Sequence, residues 1–281
     1  PTGLLMKLRH ALNAGLDVRP VDDKRAYRAL LGARGFPVVT EAFSVLADGR
    51  IVDPHDRELH RSDAERRLAE LGRAFVKPFS DAGGRGSFLW QAGQATDPVF
   101  GRRDVLVQMI LEQHPALAAL HPASINTVRI DTFALGGEMV VNGAILRIGG
   151  GGHYTDHASA GGVAAPIDIA TGRVHAPARK LPDIEPAGRL YDSHPDTGAP
   201  ILGLQIPHWD ALIRTIREAA RTLLPLRTLG WDVAIAEDGP VLIEANHDWF
   251  ITPFQLVAPL GRSALGDAAR RYHLHGDLPA A

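Results

Sequence analysis

Residues 75–86 read FVKPFSDAGGRG, a short apolar strand that carries a lysine, ends at a proline and runs at once into three glycines within four positions. A lysine inside a strand and glycines just beyond it both weaken an ordinary sheet, so each asks for a compensating role. One such role is phosphate binding: a lysine near the end of a strand, followed by a loop whose bare amides can approach phosphate oxygens, makes a flap over a nucleotide. The same residues also fit a plain turn with Lys77 lying along Phe75 and Phe79.

The surrounding chain narrows the field. Its 281 residues, 45% hydrophobic and 22% charged, suffice for one large domain or for two to three subdomains around a real core. A net charge of -2 with no Lys/Arg-rich run leaves no footprint for a nucleic-acid backbone. The absence of cysteine excludes disulfides, thiolate metal sites and a Cys nucleophile, and fits a cytoplasmic location. The opening PTGLLMKLRHALNAGL has apolar residues at helical spacing, but Lys7, Arg9 and His10 interrupt it. It is neither a signal core nor a membrane span, and no apolar run reaches membrane length.

Along the chain, residues 11–35 read as a charged helix closed by Gly32 and Gly35, and FPVVTEAFSVLADGRIVD as two strands about an Asp48-Gly49 turn. SDAERRLAELG reads as a helix with Ser62 and Glu65 as a capping box and Gly72 as its stop. DVLVQMILEQ alternates too little for a half-exposed strand and reads as one buried on both faces. NTVRIDTFAL and EMVVNGAILRI form a hairpin about Gly136-Gly137, with Arg129 and Asp131 on one face of the first strand and Arg147 near the end of the second. Residues 149–207 read as mostly irregular, apart from a strand near PIDI and a turn at Thr171-Gly172. HWDALIRTIREAARTLL is a helix with Leu212, Ile216, Ala219 and Leu223 inward. WDVAIAEDGPVLIEAN is a hairpin with Asp238-Gly239 at its tip.

Neither a Walker-type G-x-x-x-x-G-K-[ST] nor a strand-anchored G-x-G-x-x-G occurs. The last hairpin instead offers Asp232, Glu244 and Asn246, three oxygen-bearing side chains in otherwise apolar strands, which suit Mg²⁺. Glu244 and Asn246 share a face by the strand period. Asp232 joins them only if it stands opposite Glu244, which a two-residue Asp238-Gly239 turn forbids, so a three-residue or bulged loop with Gly239 left-handed is expected.

Taken together, DDK before a helix ending at Gly35, FVKP with GGRG, VLVQMIL, NTVRI, and GWDVAI followed by VLIEAN resemble the ATP-grasp superfamily, in order and over most of the chain. SINTVRI, SAGGVAAPID and HPDTGAPILGLQIPHW are similar to its sugar-transfer-associated group, related to glutamate-ligase-like enzymes. The resemblance implies an α+β ATP-grasp fold, two subdomains holding ATP between antiparallel sheets, with ATP and Mg²⁺ as cofactors. It implies Lys24 and Lys77 on the phosphates, and Gly83, Gly84 and Gly86 as a lid loop. Gln108, Met109, Ile110 and Leu111 would be the adenine hinge, with Glu112 or Asn126 in place of the usual ribose carboxylate. Asp232, Glu244 and Asn246 would hold the metal, and Arg129 and Arg147 would act as catalytic cations. No counterpart of the separate N-terminal domain usual in the superfamily is expected.

The organisation expected is a helical segment over 1–35, a mobile lid subdomain over 36–111 and a metal-bearing subdomain over 112–281. The activity expected is carboxylate–amine ligation through an acyl phosphate on a small-molecule or saccharide-linked acceptor. A small-molecule kinase and a non-catalytic nucleotide-binding module are the alternatives. Partners are a small carboxylate and an amine, with no nucleic acid and no membrane span. His153 and His157 stand four apart after four glycines, which argues against a helical zinc site; family analogy offers acceptor contact as another role, and the sequence assigns none to Asp156. His247 to Phe250 could line the acceptor pocket or belong to the core, and Asp168 reads as a turn former.

Overall fold

The computed structural model describes residues 2–80, 86–152, 161–180, 188–249, 251, 254, 260, 263–276 and 278–279. The chain divides into two compact units: Arg19–Leu111, and a second made of Pro1–Val18 with Glu112–Ala281. Residues 1–18 group with the larger unit and residues 19–35 with the smaller.

The expected single helix over 11–35 is broken into α1 (Thr2–Asn13), α2 (Arg19–Asp22) and α3 (Lys24–Gly32). The second break has a local cause. Asp23 leaves the helical conformation and its carboxylate accepts from the amides of Arg25 and Ala26, capping α3.

In the smaller unit β1 (Glu41–Val45), β2 (Ile51–Val52), β3 (Glu58–Leu59), β4 (Arg73–Pro78), β5 (Phe88–Gln91) and β6 (Val105–Met109) form an antiparallel sheet in the order β3-β2-β1-β6-β4-β5. β6 is central, as its continuous apolar run requires. One face of the sheet carries Phe43, Val45, Ala74, Val76, Val105 and Val107, which pack with Trp90 and with Ala64 and Leu68 of α4 (Arg61–Leu71). The capping box expected at Ser62 is absent: α4 begins two residues earlier, with His60 at the cap and no side-chain bond there, while Gly72 ends it at φ 68°. α5 (Asp97–Phe100) leads into β6.

The larger unit holds α6 (Pro115–Ala118) and a five-stranded antiparallel sheet of β7 (Thr127–Leu135), β8 (Glu138–Ile148), β9 (Val163–Pro166), β10 (Thr228–Ala236) and β11 (Gly239–Asn246), in the order β11-β10-β7-β8-β9. Leu135 faces Glu138, so Gly136 and Gly137 are the whole β7–β8 turn, and both have positive φ (61° and 82°) as a two-residue hairpin demands. α7 (Trp209–Thr222) buries Leu212, Ile216 and Ala219 and packs on β7, β8 and β11. α1 and α8 (Ala264–His275) supply a cluster in which Leu5, Leu8, Leu12, Leu265 and Ala268 meet Phe133, Ile145, Trp249 and Phe254. Trp249 is therefore core rather than pocket lining. Among the described residues no helix is long and apolar enough to cross a membrane.

Candidate functional site

In the smaller unit the polar residues gather on the sheet face away from α4. Gln108 pairs with Phe75 on one side and Glu41 on the other, and Leu106 pairs with Lys77 and Ser44. Residues opposite one another on neighbouring strands share a face, so Lys77, Gln108, Glu41 and Ser44 lie together. Lys77, Gln108 and Glu41 are all buried. Ser44 donates to the Glu41 carboxylate, and Arg28 of α3 is ion-paired with it. Lys24 opens α3, and its amide donates to the carbonyl of Phe79, just past the strand that carries Lys77 (2.8 Å). The two lysines thus belong to adjoining segments of one unit. The buried Glu41–Arg28 pair was missed in the sequence, where Glu41 sits in TEAFSV with no periodic signal. Of the residues expected to form an adenine hinge, Gln108 is buried and Met109 is 43% exposed. Gly86 has φ 81°, while Gly83 and Gly84 lie outside the described residues.

In the larger unit Asp232 faces Glu244, and Gly230 faces Asn246. The expected register holds, but its cause differs. The loop is Glu237-Asp238 rather than Asp238-Gly239, and by itself its two-residue register would set Asp232 opposite Ile243. A β-bulge corrects this: Val233 faces Leu242 while Asp232 faces Glu244, leaving Ile243 as the extra residue. Gly239 has φ 146°, so it is not left-handed helical.

Asp232 accepts from Arg129 through one oxygen and from Arg147 through the other, each at 2.8 Å, and all three side chains are largely buried. Arg129 stands opposite Asp232, and Arg147 opposite Thr127, so β7, β8, β10 and β11 bring five predicted residues to one face. Asn246 donates its Nδ2 to Glu244 (3.1 Å), which turns its oxygen away from that carboxylate. Two carboxylates and an amide oxygen are hard donors of the kind Mg²⁺ takes alongside water and substrate phosphates. Among the described residues no group of three or more His, Cys, Asp or Glu could hold a metal unaided.

Asn126 has another task. Its Nδ2 donates to Gln113, Leu117 O and His121 O, while its Oδ1 accepts from the amide of Gly149. Fully buried and spent on these partners, it has nothing left for a ribose hydroxyl, whereas Glu112 is exposed. The Asn126 hub continues through Ser124 and His121, which meet at 2.9 Å, and His194 at Gly149 O (2.8 Å). A Cβ on Gly149 would lie 2.2 Å from Ser124 Oγ, so this joint fixes the chain just after Arg147. His153, Asp156 and His157 fall outside the described residues. Asp168 caps its turn by accepting from the amide of Thr171 (2.8 Å).

Asp131 is the outlier. On the same face as Arg129 but fully buried, it is held by Asn142 Nδ2 (2.8 Å), and its Oδ1 has no hydrogen-bond partner. Burial pushes its carboxyl up to about 7, against the pull of Asn142.

Two antiparallel α+β units, one with a strand bearing Lys77 and one with a carboxylate–arginine face, define an ATP-grasp fold. The chain belongs to the sugar-transfer-associated ATP-grasp family, whose model matches residues 87–266. No curated protein matches the chain. Solved structures with similar folds include the ATP-grasp ligase PsnB, bound to minimal precursor, Mg and ADP (16% identity, TM-score 0.47, 91% of this chain and 58% of that one). D-cycloserine synthetase DcsG is another (18%, 0.47, 90% and 71%), as is D-alanine–D-alanine ligase from Helicobacter pylori (10%, 0.49, 89% and 58%). The chain spans little more than half the length of the first of these.

Proposed function

We propose that this protein is an Mg²⁺- and ATP-dependent carboxylate–amine ligase acting on a small-molecule or saccharide-linked acceptor. The observation that carries the reading is the single face on which Asp232, Glu244, Asn246, Arg129 and Arg147 gather. In the reaction the γ-phosphoryl group passes from ATP to a carboxylate oxygen and ADP departs. The amine nitrogen then attacks the acyl carbon, the bond to the phosphorylated oxygen breaks, phosphate leaves and the nitrogen loses a proton.

Lys77 and Lys24 bind phosphate oxygens in this scheme, and the backbone of residues 108–111 reads the adenine edge. Asp232 orients two guanidinium groups, and the bond it takes from Arg129 uses one nitrogen of a group with five N–H donors. The remaining donors suit charge on a transferring phosphoryl group and on the tetrahedral oxyanion that follows. Glu244, Asn246 and the outer lone pairs of Asp232 would hold Mg²⁺, whose contribution is to neutralise charge between phosphate oxygens.

The test is a matrix of candidate carboxylates and amines incubated with ATP labelled at its γ-phosphorus, with mass detection of products. Label appearing as free phosphate only when a carboxylate and an amine are both present supports the ligase. Label retained in a stable phosphorylated metabolite, with no amine requirement, replaces it with a kinase.

A further inference from the structure

We infer that Arg9 and Asn13 of α1, which lie outside the stretch matched by the family model, are positioning residues for the β10–β11 face. Asn13 takes the place of a strand. The register that pairs Gly230 with Asn246 would set Asp248 opposite Thr228, but β11 ends at Asn246. At that vacated rung the Asn13 carboxamide behaves as a peptide group. Its Nδ2 donates to Thr228 O (2.8 Å), and its Oδ1 accepts from the amides of Thr228 (3.3 Å) and Arg227 (2.8 Å). Asn13 is buried, so the exchange is made away from water, where an unmade bond is costly.

Arg9, one helical turn earlier, takes the departing chain. It donates to Trp249 O and is ion-paired with Asp248, and it is only 4% exposed. The captured Trp249 closes the arrangement: its Nε1 donates to Thr228 Oγ1 (3.2 Å), and its Cβ lies where a Cβ on Gly230 would come within 2.4 Å. α1 therefore holds β10 where the ladder stops and β11 where it leaves, two and three residues from Gly230 and Asn246. Asn246 is the last residue of its strand, so the direction of its side chain depends on where residues 247–249 go.

The inference rests on the metal reading of that face, and its test separates the two. Asn13→Ala, Asn13→Asp, Arg9→Ala and Arg9→Lys are compared with the unaltered protein by amide hydrogen exchange, by binding of Mn²⁺ in the presence of ATP, and by binding of ATP without metal. Asn13→Ala should speed exchange at Thr228 and Asn246 about tenfold or more while β7–β8 amides keep their protection. Metal affinity should fall about tenfold with metal-free ATP binding unchanged, and Arg9→Lys should recover most of what Arg9→Ala loses. A purely structural helix would lower the melting temperature of every variant and leave metal affinity alone, which would overturn the inference. If the unaltered protein binds Mn²⁺ no better with ATP than without, the proposed function is what fails. The exchange pattern still decides the clasp: unchanged exchange at Thr228 and Asn246 in Asn13→Ala would sink it.

Discussion

Asp131 and Asp232 show how one residue type takes opposite roles on one sheet face. Asp232 accepts from two arginines, so removing it takes a carboxylate away from two largely buried cations. Asp232→Ala should cost about 2–4 kcal/mol in denaturant unfolding, well beyond the cost of Glu244→Ala. Asp131 has a single donor from a side chain and an orphaned oxygen, and its folded pKa of about 7 stands above the unfolded value of 3.8. With the folded value raised, the stability it contributes is complete below about pH 4 and is lost as pH rises through 7. The swing should be roughly 4 kcal/mol at most, and Asp131→Asn should flatten the slope of unfolding free energy between pH 4 and 8. A slope unchanged by that substitution would mean that Asp131 does not carry it. Neither role was visible beforehand: the period of two places Arg129 and Asp131 on one face, but nothing in IDTF says which part of that face is covered.

At the scale of the element, the hairpin is a parity device. The sequence requires Asp232 opposite Glu244, and that much was legible because the face of each strand follows from its period. The site of the correction was not, since a bulge leaves no mark in PVLIEAN. The parity is directly testable. Deleting Ile243, the extra residue, leaves Asp232 opposite Glu244 in a regular ladder, so Mg²⁺–ATP affinity should stay within about tenfold of the original. Deleting Ala245 turns Asn246 toward the apolar face and should abolish that binding. A Gly230→Ala change should also destabilise the larger unit, by about 2 kcal/mol or more, because its Cβ meets Trp249; thermal unfolding reads it.

Across the whole molecule, the fold class and the family were legible because each motif marks a strand or its end. The break of the first helical region was not, because the Asp23 cap that ends one helix and opens the next sits inside a continuous run of polar and apolar residues. Nor was the assignment of α1 to the larger unit, which depends on side-chain bonds from Arg9 and Asn13 to residues more than two hundred positions away. Asn126 was misplaced for a similar reason: only the fold brings Gln113, His121 and Gly149 around it. The account stands or falls on one claim, that the oxygen donors of the last hairpin hold a cation brought with ATP. Calorimetric titration of ATP with and without Mg²⁺, into the unaltered protein and into Glu244→Gln, measures it most directly. The account predicts tight binding that requires Mg²⁺ in the unaltered protein and a loss of at least about tenfold in Glu244→Gln, confined to the Mg²⁺-dependent part. Equal affinities with and without Mg²⁺, or a Glu244→Gln protein that binds Mg²⁺–ATP as well as the original, would contradict it.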